Sequence, residues 1–222
     1  MMARKTKISA SKTPHKLHFV KREAIDFGFD IAKKNIVFFL GVFVIWALVT
    51  IFSSTVQGNL NANKQFLLSF LFSLLMWLIS SIISMGIINI SLQFVDNKKP
   101  NLKDIFYTQK VFNFILASII RTVIVFVGFV LLIVPGIIFS LKFQFSDYLI
   151  VDKKFDAVDS LKGSWEMTKG IKANLLIFRI LLALINVVGL LCVVVGLFIT
   201  VPLSMLASAY VYRKLLSQTN LK

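Results

Sequence analysis

Apolar residues in this chain come in six long runs, with polar and charged residues sorted into the segments between them. A run of about 20 apolar residues matches a hydrocarbon core about 30 Å thick, so the pattern predicts six transmembrane helices. Their expected limits are 35–55, 65–94, 111–134, 137–151, 174–194 and 196–214. The second run exceeds what a crossing needs, so tilt or protrusion is expected there. Turn signals join the members of two pairs: VQGNLNANK after the first run and Pro135–Gly136 after the third. The expected architecture is all-α and polytopic, six spans in three hairpins, with Pro202 bending the sixth.

Two further segments carry helical periodicity outside the long runs. In 19–34, Phe19, Ala24, Ile25, Phe27, Phe29 and Ile31 alternate with charges, which predicts an amphipathic helix on the inner membrane surface. Its Glu23, Asp26 and Asp30 precede Lys33 and Lys34, the order that a helix dipole favours. In 152–172, Phe155, Val158, Leu161 and Trp165 recur every three or four residues and predict one apolar face, although Gly163 and Gly170 weaken that helix. Residues 1–18, with Pro14, His15 and His18, read as a basic disordered tail ahead of a membrane domain over 19–222.

Charge turns this pattern into an orientation. The chain has 25 Lys and Arg against 10 Asp and Glu, a net +15. Of the 25 basic residues, 21 fall on one side, outside the spans or at the inner end of the sixth (Arg213 and Lys214), with Lys64 alone on the other. Basic loops are retained in the cytoplasm, so both termini are expected there and the plasma membrane is the expected location. Charge sorted this way argues against nucleic acid as a partner. It favours anionic headgroups, at about 1 kcal/mol per well-placed Lys or Arg. Lys33, Lys34 and Trp165 are the expected inner-surface lipid contacts, and other membrane proteins are further candidate partners. Composition agrees, at 57% hydrophobic residues and a mean hydropathy of +0.83. The basic N-terminal region is long and no small-x-small cleavage site follows the first run, so that run is expected to stay as an anchor. The single Cys192 allows no intrachain disulfide.

Four charges fall inside the runs: Arg121, Lys142, Asp147 and Arg179. Intramembrane charges are costly and mark candidate sites. At 1.5 Å per residue, Arg121 lies about 21 Å and Asp147 about 18 Å from the Pro135 turn, and Arg179 about 18 Å from a turn near Leu191. The three can therefore meet at one depth, with Gln144, Tyr148 and Asn186 as polar neighbours. Such a cluster serves either as an anion or headgroup site or as a buried ion pair that fixes helix register, with Arg179 snorkelling to the inner surface. Lys142, about 9 Å from the outer turn, is expected to snorkel outward. Asn113, Gly128 and Pro135 precede Asn174, Gly189 and Gly196 by 61 residues each, a faint repeat between two hairpins.

The chain carries no HExxH, no GxxxxGK[ST] and no GxSxG. No catalytic residue, metal ligand set or cofactor is expected, and the protein is read as a non-enzyme. Asp152, Asp156 and Asp159 are spaced to share one helix face, but the interleaved Lys153, Lys154 and Lys162 favour a solvated surface over a metal site.

The segment VPGIIFSLKFQFSDYLIVDKKFDAVDSLKGSWEMTKG at 134–170, with VPLSMLASAYVYRKL at 201–215, resembles a group of six-span bacterial membrane proteins. The group includes the membrane domain attached to some glycerophosphoryl diester phosphodiesterases and related stand-alone proteins. Pro135–Gly136, Val151–Asp152, Ala157, Ser164, Thr168–Lys169–Gly170, Pro202 and Tyr210–Tyr212–Leu215 carry the likeness. The resemblance implies the six-span fold. It implies no phosphodiesterase activity in this chain, because in that group the activity resides in a separate soluble domain. Ser164 and Gly170 are expected to close and terminate the surface helix. The functional expectation is a lipid-associated, scaffold or regulatory membrane component, with a small transporter for an anionic solute as the alternative.

Overall fold

The computed structural model describes residues 17–192, 196–219 and 221. The expected disordered tail, apart from Leu17 and His18, lies outside the described residues. The described chain is built of nine α-helices and one 3-10 turn: α1 (Lys21–Lys34), α2 (Ile36–Ala62), α3 (Phe66–Val95), the turn Leu102–Phe106, α4 (Val111–Leu131), α5 (Ile133–Lys142), α6 (Ser146–Lys153), α7 (Ala157–Met167), α8 (Lys172–Leu191) and α9 (Leu197–Leu216). Five segments are long and apolar enough to cross a membrane: α2, α3, α4, α5 with α6, and α8.

The sixth expected span, α9, is not among the five; it carries Pro202, Arg213 and Lys214 and packs against α1, α2, α3 and α8. Leu206, Ala207, Ala209, Val211, Tyr212 and Leu215 are all fully buried. Facing protein on most sides, it needs less apolar surface and carries Ser204, Ser208, Tyr210 and Tyr212. It is helical through Pro202.

The amphipathic segment is helical as the periodicity predicts, but its apolar face meets protein. Ala24, Gly28 and Ala32 form a small-residue stripe buried against α9. A Cβ on Gly28 would overlap the Leu203 carbonyl oxygen and press on Ala207, so this close approach requires glycine. Asn35 ends α1, its side-chain amide donating to the Ile31 carbonyl at 2.9 Å, and α2 starts one residue later.

The first polar linker is helical, contrary to its composition. Val56–Ala62 extend α2, and the turn shrinks to Asn63–Gln65, with Lys64 left-handed at φ 54°. The polar side chains find partners across the hairpin. The Gln57 amide donates to Ser69, the Ser69 hydroxyl donates to Asn61 at 2.8 Å, and the Ser73 hydroxyl donates to Gln57 at 3.3 Å. Phe43 packs on Phe198, ring centroids 4.9 Å apart, near the start of α9.

The other two hairpins close on paired glycines, Gly128 with Gly136 and Gly189 with Gly196. Leu132 alone, extended at φ −162° and ψ 149°, separates α4 from α5. The turn thus falls before Pro135–Gly136, and Pro135 sits in the first turn of α5, where its missing N–H would be unpaired anyway.

Span four is broken, which the sequence does not announce. Phe143, Gln144 and Phe145 leave the helix between α5 and α6. The break frees the Lys142 carbonyl and the Phe145 N–H. Both are taken by Ser164 of α7, whose hydroxyl donates to Lys142 at 2.6 Å and accepts from Phe145 at 3.1 Å. Ser164 therefore clasps the break rather than closing its own helix, while Gly170, at φ 82°, does form a turn after α7. The buried face of α7 is Ala157, Ser160, Leu161, Ser164 and Met167. The expected apolar stripe is displaced, with Val158 left 50% exposed.

Candidate functional site

The α4 stripe Thr122, Val125, Phe126 and Phe129 and the α5 stripe Ile137, Ser140 and Leu141 face one cleft of about 750 Å³. Leu176 and Arg179 of α8 form its other side, and Arg121, Gln144 and Asp147 complete the lining. Because α5 packs against both α4 and α8, it forms the floor between them. The rim is apolar and outward-facing, Phe126 being 66% and Phe129 45% exposed.

Depth counting brings two of the three expected charges into contact. Arg121 Nη1 lies 2.6 Å from Asp147 Oδ2. The same guanidinium donates to the Ser146 hydroxyl at 3.2 Å and to the Ser118 hydroxyl at 3.4 Å. Arg179 lines the same cleft but does not join the pair. Its Nε donates to Gln144 Oε1 at 2.7 Å. An arginine can only donate, so the Gln144 carbonyl must face it. The Gln144 Nε2 then stays buried without a partner among the described residues. Asn186 belongs elsewhere, donating to Ser204 between α8 and α9 at 3.0 Å.

Lys142 does not turn outward. The break between α5 and α6 brings it against α7, with its ammonium 2.7 Å from the centre of the Trp165 ring. Trp165 is half-buried and packs on Phe139 and Phe143, centroids 6.3 and 5.8 Å away. Lys33 and Lys34 are exposed at the end of α1.

The carboxylates Asp152, Asp156 and Asp159 do not share a helix face, because α6 stops before α7 begins. Asp152 accepts from Arg213 at 2.7 Å and from the Tyr212 hydroxyl at 2.9 Å. Arg213 also pairs with Asp96 at 2.7 Å, tying the ends of α3, α6 and α9 together. This network lay hidden in residues that read as a basic tail end and a solvated acidic loop. The Tyr107 hydroxyl donates to the Val151 carbonyl at 3.1 Å. Burial, and behind it the Asp152 charge, pushes Tyr107 above the ordinary phenol range, so it stays a donor. Asp156 is held below the ordinary carboxylate range by its hydrogen bond from Lys110, opposed by its slight burial and helped by the Lys110 charge and by Asn113. Among the described residues, no group of three His, Cys, Asp or Glu is placed to hold a metal ion.

An all-helical chain with five apolar segments of bilayer length and a charged cleft open on an apolar rim has the build of a multi-pass membrane protein. Residues 104–219, which include every residue of that cleft, match a domain of unknown function (DUF7847), and the chain belongs to that family. It is similar to the uncharacterized protein Rv2560 of Mycobacterium tuberculosis, at 30% identity over 131 residues, 59% of this chain and 40% of the relative. It is equally similar to the uncharacterized protein Mb2590 of Mycobacterium bovis. The chain thus spans 40% of the length of the curated relatives it matches. No solved structure matches it.

Proposed function

We propose that the protein is a lipid-associated integral component of the plasma membrane, scaffold or regulatory rather than enzymatic. In this reading it crosses six times, α5 and α6 counting as one crossing and α9 as the last, with both termini cytoplasmic. The observation that carries the reading is the cleft between α4, α5 and α8, polar at its base and apolar at a rim that faces the bilayer. Lys33 and Lys34, exposed where α1 meets α2, are placed to meet headgroups, at about 1 kcal/mol each. The test is to purify the protein in a mild detergent and measure the phospholipid it retains. Enrichment of anionic phospholipid over the source membrane supports the reading, and retained lipid of the same composition as the membrane counts against it.

A small carrier for an anionic solute is the second reading. It is favoured by the break between α5 and α6 at the level of Arg121 and Asp147, since discontinuous helices often frame transported ions. Uptake of a labelled anion by proteoliposomes, abolished by Arg121→Ala, would select it over the first.

A further inference from the structure

We infer that the α4–α5–α8 cleft is a site for one anionic phospholipid of the leaflet facing the basic end of the protein, with Arg179 and Gln144 as headgroup ligands. This rests on the lipid-associated reading and assigns it a position and a ligand class. Charge comes first. Arg121 is neutralised by Asp147 at 2.6 Å, whereas no carboxylate among the described residues lies within ion-pair distance of Arg179. The cleft therefore keeps one net positive charge. Donors come second. Arg179 spends Nε on Gln144 and, among the described residues, its terminal nitrogens have no protein acceptor. Gln144 Nε2 is buried without a partner. Guanidinium N–H groups left free in a cleft suit a phosphate oxygen, and the unpaired buried amide of Gln144 is a costly donor next to them.

Shape selects a lipid over a free anion. Beyond the donors, towards the turn between α4 and α5, the walls are Val125, Phe126 and Phe129, and an inorganic ion would leave them uncovered. The open rim allows an acyl chain to continue into the bilayer. Lys172, Leu176 and Arg179 lie on one face of α8 by helical spacing. Lys172 therefore stands at the mouth through which a headgroup would enter.

The full chain, in a neutral detergent, is titrated with phosphatidylglycerol, phosphatidylcholine or inorganic phosphate while its unfolding temperature is followed. Saturable stabilisation by phosphatidylglycerol alone is expected. Arg179→Gln should weaken it about tenfold or more, the loss of a charge-assisted contact. Ser140→Trp fills the cleft at an exposed position and keeps both arginines, so it should weaken binding as strongly. Arg179→Lys should restore part of it. Unaltered phosphatidylglycerol binding in Arg179→Gln or Ser140→Trp overturns the cleft assignment and leaves the lipid-associated reading standing. Equal stabilisation by inorganic phosphate overturns the lipid in favour of a free anion. No saturable effect on the unsubstituted protein overturns both.

Discussion

Replacing Ser164 by Ala removes one hydroxyl that satisfies two backbone groups. The Phe145 N–H loses its acceptor at 3.1 Å and the Lys142 carbonyl its donor at 2.6 Å. Both lie where Ser164 is fully buried, so water cannot take over. Each stranded backbone group costs about 1–3 kcal/mol. The Thr168 hydroxyl, 3.4 Å from the same carbonyl, covers part of one loss, so the net expectation is about 2–4 kcal/mol. Ser160→Ala is the control. Ser160 is equally buried, but its hydroxyl donates only to Ala157 in its own first turn, at 2.7 Å, and its loss should stay below about 1 kcal/mol. The assay is a denaturing-detergent titration in mixed micelles followed by helical circular dichroism, with hydrogen exchange of the Phe145 amide read in parallel. Equal losses for the two variants, or an unchanged Phe145 exchange rate in Ser164→Ala, would refute the clasp.

Asp147→Ala strands the Arg121 guanidinium in apolar surroundings and should destabilise by about 3–5 kcal/mol, while adding Arg121→Ala should recover much of that in the same titration. A double variant no milder than the single would remove the pairing from the energetics. A Cβ on Gly86 would overlap the Ile105 backbone, so Gly86→Ala should prevent folding or displace the 3-10 turn. Gly58 has open space around it inside α2, and Gly58→Ala should stabilise by about 0.5–1 kcal/mol. Expression level and micellar stability report both. The folded pKa of Asp156 is lowered, so its contribution is present above the unfolded carboxylate pKa and is lost as pH falls through the folded value. The stability gap between wild type and Asp156→Asn should be steady from pH 7 to about 5 and close below about pH 4. It should be only about 0.5 kcal/mol, because the Lys110–Asp156 pair is solvent-exposed.

Arg121 and Asp147 were legible as neighbours because two helices leaving a tight turn share one ruler. With the turn at Leu132 the two lie 11 and 15 residues from it, a mismatch of about 6 Å that the long arginine side chain spans. The helicity of α1 was legible too, from its spacing. Its partner was not, although Ala24, Gly28 and Ala32 at four-residue intervals are the small-residue stripe that lets two helices approach. The break between α5 and α6 had no local signal. Phe143, Gln144 and Phe145 include neither Pro nor Gly, and the residue that satisfies the freed backbone lies 19 positions beyond Phe145. The polar end of α2 misled for the same reason: Gln57 and Asn61 look like loop residues until Ser69 and Ser73 are brought opposite them.

The eight residues of α6 are held at both ends by other elements. At its start Arg121 of α4 binds Ser146 and Asp147, and at its end Arg213 of α9 binds Asp152. Ser164 of α7 fixes the break that precedes it. Gln144 sits inside that break, so the position of its side chain at the base of the cleft follows from the backbone that Ser164 holds, while Arg179 turns its amide. Ser164→Ala and Arg179→Gln therefore reach the same donors by different routes. The first loosens the backbone that positions Gln144 and should lower stability and lipid affinity together. The second removes a ligand while leaving the backbone clasped, and should lower affinity with little change in stability. Comparing the two in one titration separates the scaffold of the cleft from its chemistry.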